Sequence, residues 1–223
     1  QQSSAMNILL GATVGVAICF FTGIASASDN LTQYVLAVYG NGRFGSGVAI
    51  SESRVATSCH TLQGARRVGV TNRDTTIRAA TDKGAGRGGK DICLLHFDVP
   101  HGFPVPTIGS SKNLKPGQQA IALGYANGQL TTVRGPVVGT QEQAAGGAVI
   151  HTNTPVTAGT SGGPLFDAGG SLIGIITYIQ MDSRGTHLGA FSVPVEWAVE
   201  LNHINPYAVW ALYQGGEFWK SAR

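Results

Sequence analysis

The sequence is poor in charge. Only 12% of its 223 residues are Asp, Glu, Lys or Arg, and its net charge is +3 at pH 7. The basic residues are densest between positions 66 and 90, but a charge this small and dispersed is typical of a solvated surface rather than a nucleic-acid interface. We therefore expect no nucleic-acid partner.

The sequence also lacks internal repeats, long linkers and any recognised arrangement of metal ligands. Without a repeat or a linker, residues 29–223 are predicted to form one domain. Five histidines stand alone, and single histidines are more often structural than metal ligands. These are His96, His101, His151, His187 and His203. We expect no bound metal.

Glycine, in contrast, is abundant, with 32 residues. The most informative segment is Thr160-Ser161-Gly162-Gly163-Pro164, which lies between apolar segments at residues 149–156 and 172–179. Two glycines directly after a serine let the backbone turn so tightly that the hydroxyl and nearby amides can point into one small space, where an oxyanion could be held. Ser161 is therefore a candidate nucleophile. The alternative is an ordinary glycine-rich hairpin turn.

A serine hydroxyl is a weak nucleophile unless an imidazole takes its proton and a carboxylate orients that imidazole. His60 ends residues 54–60, which we predict to be a buried strand leading into a turn. Asp91 opens the apolar segment 91–95, and neither Asp82 nor Asp98 immediately precedes such a segment. Asp91 is therefore the preferred acid. The chain order His, Asp, Ser differs from the orders in α/β-hydrolases and subtilisin.

Four blocks of sequence, in order and spacing, are similar to the trypsin-like serine proteases of the chymotrypsin fold. They are residues 44–50, the segment ending at His60, residues 91–95, and residues 158–164 with 172–177. Over residues 35–203 the chain most closely resembles the protease domain of the bacterial HtrA group, and we expect no PDZ domain of the kind that HtrA proteins append. Thr160 stands where digestive trypsins have the aspartate that pairs with a newly cut N-terminus, so activation by that route is not expected.

The resemblance implies an all-β fold, the chymotrypsin-like double six-stranded β-barrel with a short C-terminal helical region. The sequence pattern agrees, because short segments rich in Val, Ile and Thr are separated by Gly, Asn, Asp and Pro. Strands are predicted at residues 34–39, 47–50, 120–123, 131–138, 149–152 and 172–179. Pro194 precedes an amphipathic stretch, so a helix is predicted at residues 195–201, and a second short helix at residues 206–213.

The resemblance also implies roles for the site residues. Ser161 would attack a peptide carbonyl, His60 would act as general base and then general acid, and Asp91 would fix the imidazole tautomer. The backbone amides of Gly159 and Ser161 would form the oxyanion hole. No cofactor is needed, and the partners would be protein or peptide substrates. Two alternatives remain: an esterase using the same three residues, and a catalytically silent or switchable binding module on the protease scaffold.

By the same resemblance, the pocket for the substrate's P1 side chain has Pro155 and Val156 at its floor and Gly189 at its back. One wall comes from Thr177, Tyr178 and Ile179. With no carboxylate at the floor, cleavage after Lys or Arg is disfavoured, and the branched Ile179 should narrow the entrance against aromatic rings. We expect small or aliphatic P1 residues. The alternative is that Val156 and Ile179 only pack the core beneath a pocket shaped by other loops.

Residues 1–28 are predicted to be a few vector-derived residues before Met6, followed by a signal peptide or signal anchor. The segment 7–24 is almost uncharged and is followed by Ala25-Ser26-Ala27, a small-x-small pattern that suits cleavage before Ser28. We expect a periplasmic or secreted protein. At about 18 residues the segment only just reaches a membrane-spanning length, so an uncleaved anchor with the protease domain outside the cytoplasm is the alternative.

Cysteine use is sparse and fits export. Of three cysteines, Cys19 lies in the predicted leader, which leaves Cys59 and Cys93. The resemblance implies that the residue before the catalytic histidine packs near the strand that carries the aspartate. A disulfide between Cys59 and Cys93 is therefore predicted, and two buried free thiols are the alternative. An oligomer is possible on the resemblance, but no sequence element for it can be identified.

Overall fold

The computed structural model describes residues 30–62, 65, 67–72, 76–81, 90–143 and 147–203. Within these ranges, twelve strands form two closed antiparallel barrels of six strands each. The first barrel contains β1 (Leu36–Gly40), β2 (Arg43–Ser51), β3 (Arg54–Thr57), β4 (Arg67–Thr71), β5 (Thr76–Thr81) and β6 (Cys93–His96). Its strand order is β1-β2-β3-β6-β5-β4. The predicted all-β double barrel is therefore confirmed.

The second barrel is built from the C-terminal half of the described chain. It contains β7 (Gln119–Ala126), β8 (Gln129–Glu142), β9 (Ala148–Thr152), β10 (Pro164–Asp167), β11 (Leu172–Met181) and β12 (His187–Pro194). Its strand order is β10-β11-β12-β9-β8-β7. Each predicted strand has a counterpart in one of the barrels. The first begins two residues later than predicted, at Leu36, because Thr32–Tyr34 forms a 3-10 turn.

Two Asn-Gly pairs close tight hairpins that the sequence analysis did not single out. Asn41 and Gly42 have φ angles of 49° and 74°, and Asn127 and Gly128 have φ angles of 48° and 80°. Two consecutive positive φ angles are typical of the type I′ turn, whose twist matches that of the flanking strands. The second hairpin joins β7 to β8 and brings Asn127 to the candidate active site.

Three apolar clusters form the core. One lies in the first barrel and includes Leu36 and Leu95, and another lies in the second barrel and includes Ile150 and Leu165. The third draws on both barrels and on the helix Val195–His203, as Phe166 of β10 and Val48 of β2 illustrate. The barrels therefore share an apolar interface, and burial of this surface fixes one barrel against the other.

The helix Val195–His203 confirms the helix predicted at residues 195–201. Glu196 anchors its first turn, since the carboxylate accepts hydrogen bonds from Ser110 Oγ at 2.8 Å and from the Ser111 amide at 2.8 Å. Lys90 Nζ lies 4.0 Å from the centre of the Trp197 ring, which ties this helix to the segment before Asp91. The helix predicted at residues 206–213 and the leader at residues 1–28 lie outside the described residues. Within those residues, no helix has the length and apolar character needed to cross a bilayer.

A disulfide joins Cys59 to Cys93, with their Cα atoms 4.9 Å apart. The predicted pairing is therefore present. Cys59 begins the short helix Cys59–Leu62 and Cys93 begins β6. The bond cross-links the two segments that carry His60 and Asp91, and it joins cysteines that are 34 positions apart in the sequence.

We expect Cys59→Ser with Cys93→Ser to lower the free energy of unfolding by about 2–4 kcal/mol, because the bond restricts the unfolded chain. Urea unfolding measures the change. In a Cys19→Ser background, the denatured and unreduced protein should show no thiol that reacts with a chromogenic disulfide reagent. Two reactive thiols would contradict the bond.

Candidate active site

Ser161 lies on the tight turn between β9 and β10, and the two glycines after it are required by the packing. Gly162 has a φ angle of 87°, and a Cβ atom there would lie 2.1 Å from the Ser46 carbonyl oxygen. A Cβ at Gly163 would lie 2.2 Å from the Leu123 carbonyl oxygen. Both obstacles are backbone atoms, so no larger side chain fits without moving a strand. The turn is a close backbone approach rather than an ordinary hairpin.

His60 lies on the short helix Cys59–Leu62, and its side chain is half exposed. The strand predicted to run to His60 ends three residues earlier, at Thr57. His60 Nδ1 is 2.7 Å from Asp91 Oδ2, and the His60 amide donates to Asp91 Oδ1 at 3.0 Å. The carboxylate therefore binds both the ring and the backbone of His60. This pairing leaves Nε2 as the ring nitrogen that is free to exchange a proton with a substrate or nucleophile.

Asp91 accepts a further hydrogen bond, from the Thr177 hydroxyl to Oδ2. Burial by itself raises the pKa of the Asp91 carboxyl, but the hydrogen bonds from the His60 ring, Thr177 and the His60 amide outweigh it. The pKa of Asp91 is therefore held below its ordinary value. An ionised Asp91 can stabilise a positively charged imidazolium at His60.

Thr177 also reaches the candidate nucleophile. The Ser161 hydroxyl donates to the Thr177 carbonyl at 3.1 Å, while the Thr177 side chain is only 2% exposed and is directed at Asp91. Sequence reasoning assigned Thr177 to a pocket wall and missed its bond to Asp91. The signal was weak, because a threonine at the end of an apolar segment is common in strands.

The backbone amides of Gly159 and Ser161, predicted to form the oxyanion hole, have no acceptor within the described part of the chain. Gly159 has a φ angle of 95°, and the Ala158 carbonyl accepts a hydrogen bond from the Asn127 amide at 3.2 Å. The carbonyl and N–H of one peptide point in opposite directions, so this bond turns the Gly159 N–H away from Asn127. Both amides are available to an oxyanion.

The residues predicted to form the P1 pocket have mixed surroundings. Val156 is 2% exposed and belongs to the apolar cluster of the second barrel, against which the half-buried Ile179 also packs. Tyr178 is 39% exposed. Gly189 is covered by an imidazole, since a Cβ atom there would lie 2.1 Å from His151 Nε2. Sequence reasoning did not connect His151 with this region.

Aromatic stacking holds the His151 ring in place. It stacks on Phe191, with ring centres 4.5 Å apart, and Tyr178 stacks on Phe191 at 4.7 Å. These residues are direct partners on the adjacent strands β9, β12 and β11. His151 Nε2 is buried and has no hydrogen-bond partner among the described residues.

The alternative acid Asp98 lies elsewhere. Its side chain is 99% exposed and is 3.5 Å from His96 Nε2 at the end of β6. The other alternative, Asp82, lies outside the described residues. In the part of the chain that the structure describes, no three His, Cys, Asp or Glu side chains cluster in a way that could hold a metal ion.

Comparison with known proteins agrees with this geometry. The model of the trypsin-like peptidase domain matches residues 45–175, a span that contains His60, Asp91 and Ser161. The chain belongs to the trypsin-like peptidase family. It is 33% identical over 190 residues to "Protease Do-like 1, chloroplastic" of Arabidopsis thaliana, an alignment covering 80% of this chain and 42% of the relative.

Other relatives of this trypsin-like peptidase are HtrA-type and Do-like proteins. It is 34% identical over 168 residues to "Putative serine protease HhoA" of Synechocystis sp., covering 69% of this chain and 41% of the relative. Among solved structures, "HtrA-type protease AlgW with tripeptide" superposes with a TM-score of 0.69 at 28% identity, covering 76% of this chain and 58% of the other. The chain spans less than half the length of these two curated relatives.

Thr177→Val should weaken the site, because it removes the hydroxyl that donates to Asp91 while keeping the side chain's shape. A hydrogen bond to a charged group contributes about 1.5–3 kcal/mol. We expect a loss of that order in the free energy of unfolding at pH 7, measured with urea, and a raised pKa for Asp91. Thr177→Ser keeps the hydroxyl and is the matched control. Equal stability of the Val and Ser variants would contradict the assignment.

The lowered pKa of Asp91 predicts a pH dependence of stability. Because the folded pKa lies below the unfolded value of about 3.9, the contribution of Asp91 is complete above that pH and is lost as the pH falls further. The stability difference between Asp91 and Asp91→Asn, both in a Ser161→Ala background, should therefore shrink from pH 5 to pH 3. Urea unfolding at each pH measures it, and a constant or growing difference would contradict the shift.

Proposed function

We propose that this chain is a serine endopeptidase that cleaves peptide bonds through an acyl-enzyme at Ser161. The observation that carries the proposal is that Thr177 joins the three residues. Its hydroxyl donates to Asp91, which also binds His60, and its carbonyl accepts from the Ser161 hydroxyl. These contacts support the assignment of Ser161 as nucleophile, His60 as base and Asp91 as orienting acid.

The reaction begins with a rotation of the Ser161 side chain from the Thr177 carbonyl toward His60 Nε2. As Ser161 Oγ bonds to the substrate carbonyl carbon, its proton passes to His60, and Asp91 stabilises the resulting imidazolium. The amides of Gly159 and Ser161 bind the oxyanion. His60 then gives the proton to the leaving amine as the C–N bond breaks. Water, deprotonated by His60, releases the acid product and restores Ser161.

A peptide substrate can bind along the edge of β11. The described part of β10 pairs with β11 only at Leu172, Gly174 and Ile175, so the later residues of β11 have a strand partner on one side only, which is β12. An extended peptide could add itself there as a further strand. Its scissile carbonyl would then lie close to Ser161, which is bonded to Thr177 on the same edge.

Small or aliphatic residues are the proposed P1 preference. With Gly189 at the back of the pocket, the His151 ring that covers it shortens the pocket. The apolar Val156 offers no charge for Lys or Arg. Each methylene buried there contributes about 0.8 kcal/mol, so discrimination between neighbouring aliphatics should be modest, on the order of tenfold.

The proposed location is outside the cytoplasm, in the periplasm or the external medium. The Cys59–Cys93 disulfide supports it, because such bonds persist in oxidising compartments. One relative, 31% identical over 162 residues, is a "Probable periplasmic serine endoprotease DegP-like" of Halomonas elongata. The match covers 70% of this chain and 34% of the relative. Attachment to a membrane would follow only from an uncleaved leader.

Labelling with a fluorophosphonate probe tests the proposed nucleophile. We expect the probe to label the wild type at Ser161, and Ser161→Ala to lose both labelling and hydrolysis of casein. Ser110→Ala removes an exposed serine hydroxyl outside the candidate active site and is the control. It should be labelled to the same extent as the wild type. Absence of labelling under all conditions would favour the binding module, and turnover of esters without peptides would favour the esterase.

His151→Ala should widen P1 specificity, because it removes the ring that covers Gly189. Cleavage of a peptide library by the wild type should favour Ala and Val at P1. In the variant, the ratio of kcat/KM for Phe or Leu to that for Ala should rise by about tenfold or more. An unchanged ratio would show that His151 lies outside the pocket. Dominant wild-type cleavage after Arg, Lys or Phe would contradict the proposed preference.

A further inference from the structure

Ser46 is a completely buried polar residue at the centre of the site that the catalytic steps do not use. It lies on β2 with 0% exposure. Its backbone amide donates to the Ser161 carbonyl at 2.8 Å, and its carbonyl accepts from the Thr57 hydroxyl at 2.7 Å. Ser46 therefore connects the first barrel to the turn that carries the candidate nucleophile.

The Ser46 hydroxyl has its own two partners, both on the second barrel. It donates to the Gly159 carbonyl at 2.8 Å and accepts from the Tyr125 amide at 2.8 Å. Both bonds are partly buried. The surroundings of the hydroxyl are tightly packed, since a Cβ atom at Gly124 would lie 3.0 Å from Ser46 Oγ. The hydroxyl is thus fully engaged, with its proton committed to Gly159.

The Gly159 carbonyl lies between the two peptides that present the oxyanion-hole amides. Glycine has little intrinsic barrier to other backbone conformations, so a residue with a φ angle of 95° keeps its orientation only through its contacts. The Asn127 amide holds the Ala158 carbonyl on one side, and the Ser46 hydroxyl holds the Gly159 carbonyl on the other. The N–H of the Gly159–Thr160 peptide also donates to the Thr157 carbonyl, at 3.2 Å. Loss of the Ser46 bond would leave this single bond to hold the peptide and would loosen its orientation.

We propose that Ser46 is a positioning residue for the oxyanion hole. Its hydroxyl fixes the Gly159 carbonyl and so keeps the Gly159 amide directed at the same point as the Ser161 amide. Ser46 touches no reacting atom and acts through Gly159. The proposal rests on the serine-endopeptidase function given above and deepens it, because it makes assembly of the hole depend on a side chain of the first barrel.

The test compares Ser46→Ala, Ser46→Cys and Ser46→Thr with the wild type. Ala removes the donor, Cys keeps the volume with a weak donor, and Thr keeps the hydroxyl. Ser192→Ala, which removes a serine hydroxyl that is 1% exposed on β12, is the matched control. Each protein is assayed for kcat and KM on one peptide substrate, normalised to the folded fraction from urea unfolding. A peptide aldehyde, which forms an oxyanion, and the matching peptide alcohol, which does not, are titrated as inhibitors.

Removal of an oxyanion donor typically lowers kcat by about a hundredfold or more, and a misdirected donor should lower it by at least about tenfold. We expect such a fall in kcat for Ser46→Ala and Ser46→Cys, with KM changed less than about threefold. The aldehyde should lose affinity in parallel, while the alcohol keeps its affinity. Ser46→Thr should retain more activity than Ser46→Ala, and Ser192→Ala should match the wild type.

A merely structural role for Ser46 predicts a different result. If folded Ser46→Ala or Ser46→Cys keeps the wild-type kcat, or if the alcohol loses as much affinity as the aldehyde, the proposal is overturned. If the wild type hydrolyses peptides and either of these results is obtained, the role proposed for Ser46 is wrong while the proposed function stands. A wild type that hydrolyses no peptide would overturn the proposed function as well.

Discussion

The rest of the site depends on the hydrogen bonds that the Asp91 carboxylate accepts. The carboxylate accepts hydrogen bonds from His60 of the first barrel and from Thr177 of the second. Thr177 in turn accepts from Ser161. A partly buried carboxylate is stable only while its donors remain in place. Any relative shift of the barrels would therefore separate His60 from Ser161 and leave this charge poorly solvated.

One disulfide and one shared apolar cluster hold these hydrogen-bonded groups in register. The Cys59–Cys93 disulfide links the residue before His60 to the strand that follows Asp91. The apolar cluster shared by the barrels fixes the position of β11. The low charge of the chain, 12% of residues, is consistent with a molecule whose two barrels meet through apolar surface. The buried polar groups Ser46, Thr57 and Thr177 are hydrogen-bonded to neighbouring protein groups, so they help to set the geometry of the site.

Much of the fold could be predicted from the sequence, because the signals are local, and the same local signals led to the proposal of His60, Asp91 and Ser161 as site residues. A serine followed by two glycines identifies Ser161, and the apolar segments flanking it identify strands. The contacts of Thr177, Ser46 and His151 could not be predicted, since each involves a partner more than 30 residues away that only strand pairing brings close. The helical turn at His60 was also missed, because four residues carry no periodicity that distinguishes a helix from a turn.

The central claim is that His60, Asp91 and Ser161 act together to form an acyl-enzyme. The most direct measurement is acid quenching of the protein within milliseconds of mixing with a slowly deacylating peptide ester, followed by mass spectrometry of the intact and digested chain. The account predicts an acyl group on Ser161 in the wild type, with formation slowed by at least about a thousandfold in His60→Ala. An acyl group on another residue, or equal acylation of Ser161 in His60→Ala, would contradict it.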